Sequence, residues 1–214
     1  PYATADAALR SVEKYKNGKN TPGIEIIFMA GTYQLDKPIQ MSAVVSGTTT
    51  HPLRIKSADG AKVILSGAKS LDLKWKQGDH GIWAAKVPRG TNFQSLYAND
   101  KHLVRARYPN YDPTVLPFQG YAADALSPER VATWKNPKGG IVHALHAGRW
   151  GGFHYEITGK DGLSTVTLEG GQQNNRPSKM HETYRFVENI FEELDTFQEW
   201  DLGEQEATLY FMPA

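Results

Sequence analysis

Apolar positions recur at helical spacing in only one place near the start of the chain. In "TADAALRSVEKYKNGKN", Ala5, Leu9 and Val12 fall on one face. Thr4 is suited to the N-cap and Asn17-Gly18 to the stop, so a helix is expected over Ala5–Lys16. The pattern then breaks into short apolar runs, "IEIIFMAGTYQL", "PIQM", "PLRIKS" and "KVILSG", separated by Gly, Pro, Ser, Thr and Asp. Ile26 and Ile55 lie one such recurrence apart. Short strands wound as a solenoid have this texture, because each turn stacks its apolar residues on the next. A β-sandwich also uses short, closely spaced strands.

From about Leu71 the texture changes. "GIWAAKVP", "FQSLYAND" and "KHLVRARYP" alternate apolar with polar, and Asn99-Asp100 signals a tight turn. "GGIVHALHAG", "GGFHYEIT", "STVTLEGG" and "ATLYFMP" continue the alternation expected of antiparallel sheet buried on one face. The proline-rich stretch 109–137 reads as a surface loop. The expected division is 1–75, a cap with the first coils, and 76–214, a β-rich segment.

Composition narrows the chemistry. The 214 residues contain no cysteine, which excludes disulfides, zinc–thiolate sites and thiol nucleophiles. Net charge is +1 with acids and bases interspersed, so no nucleic-acid partner is implied. No apolar run reaches membrane-spanning length. No signal peptide is visible. The start at "PYATADAALR" and the stop at "LYFMPA" lead us to expect an internal piece of a longer protein.

The opening motifs "IIFMAGTYQLDKPIQM" and "HPLRIKSADGAKVILSGA" resemble the first coils of right-handed parallel β-helix proteins of the pectin-lyase-like kind. With "FQSLYANDKHLVRARYPN", "NNRP" and "RFVENIFEELDTFQEWDLGEQEATLYFMP", the chain resembles secreted bacterial β-helix glycoside hydrolases of the Bacteroidetes type. One departure is Phe197-Gln198, where that family usually has Pro-Gly. The resemblance implies an all-β fold: the start of a right-handed parallel β-helix, a capping helix, and a sandwich-like antiparallel insertion. It further implies a secreted or periplasmic enzyme acting on a polysaccharide or oligosaccharide, with catalytic carboxylates on coils after Ala214 and no cofactor. A polysaccharide lyase on the same scaffold and a non-catalytic glycan-binding adhesin are the rival readings.

Four stretches could carry chemistry. "HALHAGRWGGFHYE", His143 to Glu156, has the HxxH spacing of a metal site. Its glycines disfavour the helix that such a site needs, and residues three apart on a strand face opposite ways, so no metal is expected. At period two, His146, Trp150 and His154 share one polar, aromatic face cleared by glycines, as a sugar-binding wall requires. A turn near Gly148–Gly152 would break that parity and leave two ordinary strands.

In "EGGQQNNRP", Asn175 and Arg176 could match sugar hydroxyls, or the amides could satisfy a local turn. In "VENIFEELD", Val187, Ile190, Phe191 and Leu194 have the spacing of a short amphipathic helix, with Glu192 and Glu193 on its wet side. In "VRARYPN", Arg105 and Arg107 could hold a carboxylate or bridge to acids within the fold. No Ser-His-Asp signature, phosphate loop or calcium loop is present.

Overall fold

A computed structural model describes residues 2–16, 23–43, 45–173, 176–177 and 179–214. Contacts divide the chain into two compact units, Pro1–Asp72 and Leu73–Ala214.

The first unit opens with α1 (Ala5–Tyr15). Thr4 caps it: its hydroxyl accepts from the amide of Ala7 at 3.2 Å. The expected stop at Asn17-Gly18 lies outside the described residues. The helix buries Ala5, Ala8, Leu9 and Val12. Four short strands follow: β1 (Ile24–Phe28), β2 (Gly31–Gln34), β3 (Leu53–Ser57) and β4 (Val63–Ser66). β1 pairs parallel with β3, setting Ile26 opposite Ile55, and β2 pairs parallel with β4.

These pairs do not make a parallel β-helix. Among the described residues each parallel sheet has two strands. Two-stranded ladders enclose no solenoid core, and Ile27, Ile55, Ile64 and Leu65 remain 40–49% exposed. The expectation of an all-β solenoid is therefore corrected. The described residues are β-rich with two α-helices, and their sheets are small and mixed.

The second unit contains β5 (Lys76–Gln77), β6 (Trp83–Lys86), β7 (Leu96–Ala98), β8 (Lys101–Arg105) and β9 (Arg107–Tyr108). After α2 (Pro128–Thr133) come β10 (Ile141–His146), β11 (Gly152–Asp161), β12 (Thr165–Gly170), β13 (Gln172–Gln173) and β14 (Arg176–Pro177). β15 (Met180–Glu188), β16 (Glu199–Gly203) and β17 (Thr208–Phe211) complete it.

One sheet is fully antiparallel, in the order β12-β11-β10-β15-β9. The other, β5-β6-β17-β16-β8-β7, is mixed because β16 runs parallel to β8. The chain passes from one sheet to the other at Ala106. Its amide donates to the carbonyl of Trp200, and its own carbonyl accepts from the amide of Asn189.

The proline-rich stretch is not wholly a surface loop. Ser127 caps α2, with Pro128 in the first turn where its missing N–H costs nothing. Val131 and Trp134 then drop into a core with Val142, Ala144, Tyr155, Ile157, Val187 and Ile190. "VENIFEELD" also departs from expectation. Val187 and Glu188 end β15, and only Phe191–Glu193 forms a single 3-10 turn. Glu193 is buried: it takes both oxygens to Arg130 Nη1 at 2.9 Å and accepts Trp134 Nε1–H at 2.6 Å. Strand pairing overrides the helical period here, and the buried indole and guanidinium require a carboxylate.

Candidate functional site

The hairpin β10–β11 sets the site. Val142 lies opposite Tyr155 and Ala144 opposite Phe153, all turned to the core side. His143 lies opposite His154 on the other face. The buried positions are therefore even-numbered on β10 and odd-numbered on β11, and the parity inverts across the turn. His146 N–H donates to the carbonyl of Gly151 at 2.7 Å, and Arg149 N–H donates to the carbonyl of His146 at 2.7 Å, with Arg149 at φ 58°. A Cβ on Gly148 would stand 2.4 Å from Trp150 Nε1, so only a glycine there lets the indole lie where it does.

This turn splits the trio expected on one face. Trp150 packs over His146 with centroids 4.1 Å apart. His146 pairs with Met180 and lies 5.9 Å from Phe153, both of which pack on the core. His154 is on the opposite face. The structure thus joins Trp150 to His146 and separates both from His154.

On the outer face, His154 meets His143 and, through it, Glu188. Its Nδ1 is 2.8 Å from Nδ1 of His143, whose Nε2 is 3.0 Å from Oε1 of Glu188. The His143 ring stacks on Phe186 at 4.4 Å, within 5° of parallel. Burial alone would raise the Glu188 carboxyl. The hydrogen bond and charge of His143, with the charges of Arg105 and Arg107, outweigh it and hold Glu188 below the usual carboxylate range. Burial pushes His154 below the ordinary histidine value, and the neighbouring His143 adds to this against the opposing charge of Glu188.

The two arginines of "VRARYPN" are spoken for. Arg105 donates to Gln94 Oε1 and the carbonyl of Phe93, and lies over the Trp200 ring. Arg107 donates to the carbonyls of Pro109, Phe118 and Gly120, and lies 3.9 Å from the Phe186 centroid. Arg107 thereby pins the loop after β9 to the sheet.

Of the polar loop "EGGQQNNRP", Asn175 lies outside the described residues. The backbone of Arg176 pairs with Gln173 in a two-residue ladder. The glycines have a packing cause: a Cβ on Gly171, at φ 61°, would sit 1.8 Å from the Tyr155 ring. Among the described residues no group of three or more His, Asp or Glu is arranged to hold a metal ion, and no helix is long and apolar enough to cross a membrane.

No family model and no curated protein matches the chain. Among solved structures, one described as a glycoside hydrolase shares the fold, with a TM-score of 0.71 and 22% sequence identity. The match covers 100% of this chain and 40% of that one, so the chain spans about two fifths of its length. The likeness is one of fold.

Proposed function

We propose that this chain is part of a glycoside hydrolase that acts on polysaccharide or oligosaccharide outside the cytoplasm. On this reading it supplies a glycan-contacting surface centred on Trp150 and His146. The observation that carries the reading is the fold shared over the whole chain with a glycoside hydrolase. At the tip of β10–β11, Trp150 is 59% exposed and held by His146, which suits it to stack on the C–H face of a sugar.

The hydrolytic pair itself belongs to another part of the longer polypeptide. Two carboxylates must flank the scissile bond from opposite sides. Glu193 is locked by Arg130 and Trp134, and Glu199 and Asp201 are buried in β16. Glu156 and Glu169 are exposed and opposite one another, but both rise from one face of one sheet.

The test is Trp150→Ala in the complete enzyme, which should weaken glycan binding about tenfold, the scale of one lost aromatic contact. Unchanged affinity and turnover would remove Trp150 from the contact surface. Release of reducing sugar without an unsaturated uronate product supports hydrolysis over β-elimination.

A further inference from the structure

The relay on the outer face has an open end. Glu188 is held in its carboxylate form, so Nε2 of His143 donates to it. When neither ring carries an extra proton, Nδ1 of His143 is the acceptor of the short contact between the rings and Nδ1–H of His154 donates to it. Nε2 of His154 is left as a lone pair on an exposed side chain, with no hydrogen-bond partner among the described residues. A carboxylate behind two imidazoles thus determines which way the outermost nitrogen presents itself.

The surroundings select the ligand. Glu156 follows on the same face of β11, exposed, with Glu169 directly opposite it. The nearby cations are engaged: Arg107 is buried against three carbonyls, and Arg149 leans over Tyr184 with Nη1 3.5 Å from its hydroxyl. Among the described residues, an anionic ligand would meet three carboxylates and no free cation. A neutral hydroxyl meets an acceptor. Resting on the reading that the ligand is a glycan, we propose that Nε2 of His154 accepts a hydroxyl of an uncharged saccharide. In this arrangement His143 and Glu188 are positioning residues that hold the ring in its acceptor tautomer. The site is distinct from the Trp150–His146 tip, which lies toward the opposite face of the sheet.

Two measurements test this. Long-range proton–nitrogen spectra at neutral pH should find His154 in the Nδ1–H form and His143 in the Nε2–H form. Glu188→Ala should move His154 toward the Nε2–H form. A wild-type His154 already in the Nε2–H form overturns the proposal, as does a spectrum that Glu188→Ala leaves unmoved.

The second measurement is affinity electrophoresis of the complete protein in xyloglucan, galactomannan and polygalacturonate. His154→Ala should weaken retention by an uncharged polysaccharide about fivefold to tenfold, the scale of one hydrogen bond with its unpaired partner left behind. Retention lost in Trp150→Ala but kept in His154→Ala sinks the His154 site and leaves the glycan reading standing. Retention in polygalacturonate that depends on His154 overturns the assigned ligand class. No retention of the wild type in any of the three overturns both.

Discussion

The two units of the chain use similar strand sequences to opposite effect. In the first, β1 to β4 are short and paired two by two, β1, β3 and β4 carry Ile or Leu, and Ile27, Ile55 and Ile64 stay about half exposed. In the second, Val142, Ala144, Ile157 and Val187 are fully buried. Hydrophobicity does not separate them. Strand number and a covering layer do: β10 and β11 have neighbours on both edges and a face roofed by Val131 and Trp134, whereas each parallel ladder is two strands wide among the described residues.

The largest effect is expected where the second unit depends on a buried polar anchor. Glu193→Ala would leave Arg130 charged and Trp134 Nε1–H unpaired inside the core. Breaking a buried pair in this way costs about 3–5 kcal/mol. All five tryptophans, Trp75, Trp83, Trp134, Trp150 and Trp200, lie in this unit, so indole fluorescence during urea unfolding reads it directly. A loss below about 1 kcal/mol would mean that the anchor is dispensable and that apolar packing alone sets this unit apart.

Next comes a dependence on pH. Burial raises Glu199 to about 8, with the charge of Asp195 adding to it, and Oε1 has no hydrogen-bond partner among the described residues. Burial likewise raises Asp201 to about 7, against the favourable charge of Arg105. In the unfolded chain both ionise in the ordinary carboxylate range, so between there and about 8 the folded state holds more protons. The contribution to stability is full below the unfolded values and is lost as pH rises through 7 and 8. The second unit should therefore weaken by a few kcal/mol from pH 5 to 9. Glu199→Gln with Asp201→Asn should flatten that slope, and an unchanged slope in the double variant would exclude these two groups as its source. Glu188 works in the opposite sense: its lowered value adds stability at neutral pH that is lost on acidification.

The local features of this fold are legible in the sequence, and the long-range ones are not. The Thr4 cap, the recurrence from Ile26 to Ile55 and the alternation through 141–170 are written within a few residues or one simple repeat. The contact from His143 to Glu188 spans 45 residues and depends on the register of β10 against β15, which no local pattern encodes. The link from Trp134 to Glu193 spans 59 and was hidden behind a helical period that strand pairing overrode. In "HALHAGRWGGFHYE" the residues were the right ones to notice, but the turn reversed the parity and dealt the histidines to different faces. Two parallel ladders suggested a solenoid because local repetition does not reveal how many turns follow.

The smallest effect tests the comparison most directly, because it makes one chemical change in both units. Ile157→Val removes a methylene from a fully buried site and should cost about 0.5–1.5 kcal/mol, read by fluorescence. Ile55→Val removes the same group from a side chain that is 40% exposed on a two-stranded ladder. There the vacated space is filled by water and no cavity forms, so the loss should stay within about 0.5 kcal/mol. Amide exchange across β1 and β3 reads that unit, which contains no tryptophan. Equal losses at the two positions would mean that Ile55 is covered in solution, and the contrast between an open ladder and a roofed sheet would fail at the residue where it is drawn most sharply.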